Sequence, residues 1–268
     1  MKSRLMAVVG LLMITVLLAT SEVSAITNVV TPEFEDHDIT GAVVGFSTVR
    51  TVLGEHSVIM SIPEGAIQDW GLGLNAESRL ATGMSRRLGL ALYSDISFKV
   101  NFLDNPQGEP PINEPYPVNP GAVSAPLYVT LIVYDKTNDV WVSMIPTTGA
   151  YDAWGGTRMN FSDPDENGWR IATPVYGNNA NWTAWTFGGA LWYPDGTYPW
   201  HTAENPAPKP RTVTLAQWDT FIASLGLKVE VRKVNIQFGY MHPLYGTTWG
   251  TVYVDGLSFA GRTLDFEP

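Results

Sequence analysis

Apolar and polar residues alternate with period two along most of the chain. Val58, Met60 and Ile62 alternate with Ser57, Ile59 and Ser61, and Ile96, Phe98, Val100 and Phe102 with Ser97, Lys99 and Asn101. Trp70, Leu72 and Leu74 alternate with Gly71, Gly73 and Asn75. This period predicts half-buried strands. Leu127 to Tyr134 (LYVTLIVY) is almost wholly apolar or aromatic, which predicts a central strand covered on both faces. Val140 to Ile145 follows it after the turn-forming Asp135-Lys136-Thr137-Asn138-Asp139. The alternation slips phase at Arg232-Lys233 and again at Gly256, which predicts bulges.

One stretch has the helical period instead. Leu215, Trp218, Ile222 and Leu225 share a face, Thr214 and Gln217 form a T-x-x-Q capping box, and Gly226 follows as a stop. One short helix, about 214–225, among some ten strands predicts an all-β antiparallel sandwich. The helix would be a crossover or an end cap.

The N-terminus changes the picture of where the chain works. Lys2 and Arg4 precede an apolar run from Leu5 to Ala19, and Val23-Ser24-Ala25 is a small-residue cleavage site. Residues 1–25 read as a signal peptide. An uncleaved anchor is the alternative, although the run is short of the ~20 residues that span a bilayer. Residues 26–268 then form one exported domain, extracellular or at the cell surface, with no membrane span after cleavage. Asp104 to Pro126 holds seven prolines and reads as a surface loop (104–126) rather than a linker.

There is no cysteine, so an exported chain depends on packing or on a metal ion. The formal charge is −10, and loss of Lys2, Arg4 and Glu22 with the signal makes it −11. An acidic chain argues against nucleic acid as a partner.

PEFEDHDITGAVVG (Pro32 to Gly45), GEHSVIMSIPEG (Gly54 to Gly65) and the closing GTVYVDGLSFAG (Gly250 to Gly261) resemble the jelly-roll carbohydrate-binding modules, the galactose-binding-like sandwiches. The resemblance runs from Phe34 to Phe259. It implies a jelly-roll fold with long aromatic-rich loops, a glycan partner, and a structural calcium joining first and last strands at Glu35 and Asp255. Both residues are equally readable as solvated strand-end acids.

Other constellations carry candidate chemistry. Asp163, Asp165 and Asn167, with Gly168, follow the D-x-D-x-N-G start of a calcium loop, but the twelfth position is Pro174 and not Glu. An ordinary Asx-rich turn accounts for the same residues. Asn160-Phe161-Ser162 and Asn181-Trp182-Thr183 are glycosylation sequons at Asn160 and Asn181. The stretch from Asn179 to Thr202 reads as loop and holds seven aromatic rings. Flat rings cover the C–H face of a sugar while neighbouring Asn, Asp and Thr meet its hydroxyls. Trp192, Tyr193, Tyr198 and Trp200 flank the turn Pro194-Asp195-Gly196, so they and Asp195 are the first candidates for glycan contact, and Trp182 and Trp185 the second.

Three functions fit. The first is a secreted, calcium-stabilised, non-catalytic glycan-binding protein. The second is a surface-layer or fibre subunit that assembles with itself, with Ile26 to Val30 as a donated or an ordinary edge strand. The third is a polysaccharide lyase using Gln237, Tyr240 and His242, with Arg211, Arg232 and Lys233 as neutralisers. No hydrolase motif or paired-carboxylate signature favours an enzyme.

Overall fold

The computed structural model describes residues 26–35, 41–63, 72–77, 89–104, 127–147, 159–174, 176–186, 191–192, 213–238 and 250–268. Residues 1–25, read above as a signal peptide, most of the proline-rich stretch and most of the aromatic-rich stretch lie outside them. In chain order the strands are β1 (Ile26–Val30), β2 (Glu33–Glu35), β3 (Val43–Ser47), β4 (Ser57–Ile62), β5 (Leu72–Glu77), β6 (Ser97–Asp104), β7 (Leu127–Asp135) and β8 (Val140–Thr147). They continue with β9 (Met159–Phe161), β10 (Arg170–Pro174), β11 (Asn181–Thr186), β12 (Leu191–Trp192), β13 (Val213–Thr214), β14 (Val229–Phe238), β15 (Gly250–Phe259) and β16 (Arg262–Phe266). The α-helix of the described residues, α1, is Leu215–Ser224.

These strands make two sheets, so the chain is an all-β protein of the sandwich type. The first runs β1-β16-β15-β6-β10-β9, with β4 also on β15 and β3 on β4. The second runs β12-β11-β8-β7-β14-β5-β2, with β13 on β11. The apolar set of each strand meets in one core. Val58, Met60, Phe98, Val100, Val252 and Val254 come from the first sheet, and Val129, Leu131, Val133, Val142, Val234 and Ile236 from the second. Pairing is antiparallel except for β1, which lies parallel to β16 as an edge strand.

The helix forms as its sequence predicts. Thr214 and Gln217 make the full capping box, and Leu215, Trp218, Phe221 and Ile222 are buried. Gly226 takes φ +64, which a glycine adopts without cost. Both predicted bulges are present, between Val231 and Lys233 in the pairing of β14 with β7 and between Asp255 and Ser258 in that of β15 with β6. β7 is covered on both sides from Leu127 to Leu131, whereas Ile132 and Tyr134 on its outer face are half-buried. Val129, Leu131 and Val133 are fully buried, and Tyr128 and Thr130, which point the opposite way, are 6% and 2% exposed.

One expectation fails here. Asn181 to Thr186 is strand β11, not loop, paired along six residues with β8. Trp182 is a core residue, 1% exposed, and its carbonyl oxygen accepts a hydrogen bond from Trp218 Nε1 at 2.9 Å. Among the described residues no helix is long and apolar enough to cross a membrane.

Candidate functional site

The outer face of the second sheet has the chemistry of a binding surface. Val142 and Met144 of β8 face the core, so Trp141, Ser143 and Ile145 face out. Trp141 stands opposite Tyr134 of β7, which faces out by the same alternation. Their ring centroids are 4.9 Å apart at 34°, and Trp141 remains 43% exposed. More than half of the Trp141 surface is covered, which fixes the ring, and the exposed remainder is free to cover a ligand.

The β7–β8 hairpin fixes the pair. Asp135 is fully buried and accepts from the Thr137 backbone (2.8 Å) and from Asn138 Nδ2 (2.6 Å), an Asx-type turn. Asp139 takes the left-handed φ of +56, and its Oδ1 accepts from the Tyr134 hydroxyl at 2.6 Å. That hydrogen bond to a carboxylate, with burial second, raises the tyrosine pKa and keeps the ring protonated and in place.

The bulge in β14 supplies the border. By putting an extra residue into the strand it turns Arg232 as well as Lys233 toward this face. The Arg232 guanidinium lies 5.5 Å from the Tyr134 ring centroid, and its NH2 group pairs with Glu230 Oε2 at 3.0 Å. Glu230 stands opposite Tyr134 in the sheet, and its other oxygen pairs with Lys136. Lys233 pairs with Glu33 of β2.

Further along the same face the surface turns polar and closed. Asn235 of β14 pairs in register with Thr130 of β7, and Thr183 stands on the same row in β11 beyond Ile145 of β8. These three are 6%, 2% and 2% exposed. Asn235 Oδ1, Thr130 Oγ1 and Thr183 Oγ1 have no hydrogen-bond partner in the protein. Orphaned buried polar atoms are costly, so this row of three destabilises the fold wherever no water or ligand completes the bonding.

The residues expected from sequence are distributed differently. Trp185 and Trp192 have their backbones in β11 and β12, at the edge of this same sheet, where Trp192 pairs with Ala184 and Trp185 with Leu191. Their side chains, and all of Tyr193, Asp195, Tyr198 and Trp200, lie outside the described residues, as do Arg211, Tyr240 and His242. Trp182, by contrast, is removed from the candidates by its burial.

Among the described residues the acidic candidates form no group that could hold a metal ion. Glu35 is on β2 of the second sheet, with its side chain outside the described residues, whereas Asp255 is on β15 of the first. Asp255 is fully buried. Its Oδ2 accepts from Val52 N (2.7 Å) and Leu53 N (2.9 Å), and its Oδ1 from Gly256 N (2.7 Å). The carboxylate thus pins the 48–56 segment to the sheet with both oxygens occupied. Burial raises its pKa and those three backbone bonds oppose the rise.

Asp163, Asp165 and Asn167 form a turn. Asp165 Oδ1 accepts from the backbones of Asn167 and Trp169, each at 2.9 Å, and Asp163 is exposed. Among the described residues no three His, Cys, Asp or Glu side chains are grouped to hold a metal ion. Of the sequons, Asn160 is half-buried in β9 with its Oδ1 covered, a poor acceptor geometry for a bulky glycan, and Asn181 is half-buried in β11.

Sequence reasoning did not single out Trp141, Tyr134 or Glu230. The signal was present: both rings border the Asp135–Asp139 turn, just as Trp192 to Trp200 border theirs. No protein-family model matches the chain, and no curated protein or solved structure matches it.

Proposed function

We propose that this chain is an exported, non-catalytic glycan-binding protein whose contact surface is the Trp141–Tyr134 pair on the outer face of the second sheet. The observation that carries this reading is the 43% exposure of Trp141, whose ring lies against Tyr134, itself fixed by Arg232 over its ring and by Asp139 on its hydroxyl. A rigid, pre-placed ring loses little entropy when a sugar stacks on it. Lys136, Asn138 and Asp139 at the rim supply hydrogen bonds for hydroxyls, and all three are exposed. Two strands of the aromatic-rich stretch, β11 and β12, belong to the same sheet.

The test is a depletion assay on residues 26–268 with soluble and insoluble polysaccharides, with calcium and with EDTA, scoring new reducing or unsaturated ends in the same tubes. Depletion without products supports the reading. Trp141→Ala is expected to weaken binding about tenfold or more while destabilising the fold by about 1–3 kcal/mol, the protein remaining folded by circular dichroism. Unaltered binding in that variant would sink the site, and released products would replace the binding module by an enzyme.

A second reading, assembly with other copies, has one observation in its favour. β1 is an edge strand with Val29 64% exposed, and edge strands accept partners. Monomeric sedimentation at high concentration would dispose of it.

A further inference from the structure

The charges around the Trp141–Tyr134 platform are arranged so that none of its three cations is left without a carboxylate. Glu230 neutralises two of them, Arg232 through Oε2 at 3.0 Å and Lys136 through Oε1. Lys233, one residue beyond Arg232, is held by Glu33. Asp139 adds a further carboxylate directly on the Tyr134 hydroxyl. The guanidinium of Arg232 is in addition committed to the Tyr134 ring.

Resting on the glycan-binding reading, we infer that the platform takes uncharged glycans and that Glu230 is the specificity-determining residue. A uronate or sulfate group arriving over Trp141 would meet Asp139 and Glu230 at the rim. To reach Arg232 or Lys136 it would have to displace Glu230 from both. Glu230 and Arg232 are only 24% and 19% exposed at the side chain, so part of their hydration is already lost and their pairing is less screened than a fully exposed ion pair. A neutral sugar asks for none of this. It needs only the ring face and hydrogen bonds from groups that stay paired. The chain's charge of −10 repels polyanions in the same direction at longer range.

The experiment compares neutral polysaccharides (β-glucan, mannan, galactan, xylan) with acidic ones (alginate, polygalacturonate, hyaluronan) at low and physiological ionic strength, for the wild type and Glu230→Gln. The wild type is expected to bind neutral polymers only, with little effect of salt. Glu230→Gln leaves Arg232 and Lys136 unpaired at nearly constant volume. It is expected to gain affinity for acidic polymers about fivefold or more at low salt relative to its own neutral binding, with the gain lost as salt rises. Adding Arg232→Gln to that variant is expected to abolish the gain.

Two results overturn the inference while leaving the glycan reading intact. One is a wild type that prefers acidic polymers in a salt-dependent way. The other is a folded Glu230→Gln variant, checked by circular dichroism, with no gain for them. Should Glu230→Gln fail to fold, the wild-type preference alone decides. A wild type that binds no polysaccharide at all removes the glycan-binding reading and this inference with it.

Discussion

Trp218 donates its indole N–H to the carbonyl oxygen of Trp182 at 2.9 Å, with both side chains fully inside the core. The bond ties α1 to β11. Trp218→Phe keeps most of the apolar volume but takes this buried donor from the carbonyl, and a lost buried hydrogen bond costs about 0.5–3 kcal/mol. We expect a loss in that range in urea unfolding, with the m-value unchanged. A loss below ~0.5 kcal/mol would show that the bond is not a structural tie.

Gly54 is the residue around which the 48–56 segment closes. Its φ is +53, and a Cβ there would stand 2.0 Å from Glu267 Oε1 and within 3.0 Å of both Asp265 carboxylate oxygens. Gly54→Ala must therefore push Glu267 off the backbones of Glu55 and His56, which it now holds at 2.6 and 3.1 Å. The left-handed conformation alone costs about 1–2 kcal/mol for alanine. Hydrogen exchange of residues 48–56 should accelerate, and protection equal to the wild type would refute the argument.

The same corner gives stability a pH dependence of two opposite signs. Burial, and the nearby Glu267 charge after it, raise the Asp265 pKa above its unfolded value. The native state therefore holds that proton more tightly, and its stabilising effect fades as pH rises from the ordinary aspartate range through the raised value. Glu267 is shifted the other way, first by its backbone bond to Glu55, so its contribution is present above the ordinary glutamate range and fades as pH falls. Asp265→Asn should raise the melting temperature at pH 7 and not at pH 3. A variant less stable than the wild type at pH 7 would mean that the ionised form is favoured.

Thr130 and Thr183 test what completes the polar row. Replacing an unsatisfied buried hydroxyl by a methyl removes a desolvation penalty, so Thr130→Val and Thr183→Val should each stabilise by ~0.5–2 kcal/mol. Thermal melts showing destabilisation instead would reveal that a bound water satisfies these oxygens.

Local features of the fold were legible in the residues. The α1 capping box, the β14 bulge and the doubly covered first half of β7 all follow from spacings within a dozen positions. The errors arose where composition and structure disagree. Asn181 to Thr186 carries Asn and Thr among its rings and reads as loop, yet its outward Thr183 and inward Trp182 keep strand alternation. β9 and β10, of three and five residues, are too short for periodicity to register. The platform was overlooked because LYVTLIVY was read as covered along its whole length, although Tyr134 at its end is only half-buried. The Glu230–Arg232 arrangement depends on register between strands ninety-odd positions apart, which no single sequence displays.

The topology has a consequence for the order in which the chain can fold. β15 lies in the interior of the first sheet, between β6 on one side and β4 and β16 on the other, and β14 lies in the interior of the second, between β5 and β7. Both come from the segment after Leu227. A nascent chain lacking that segment holds strands with no middle to join them, and its long-range pairings form slowly even when complete. Until its last strands are made, neither sheet can close.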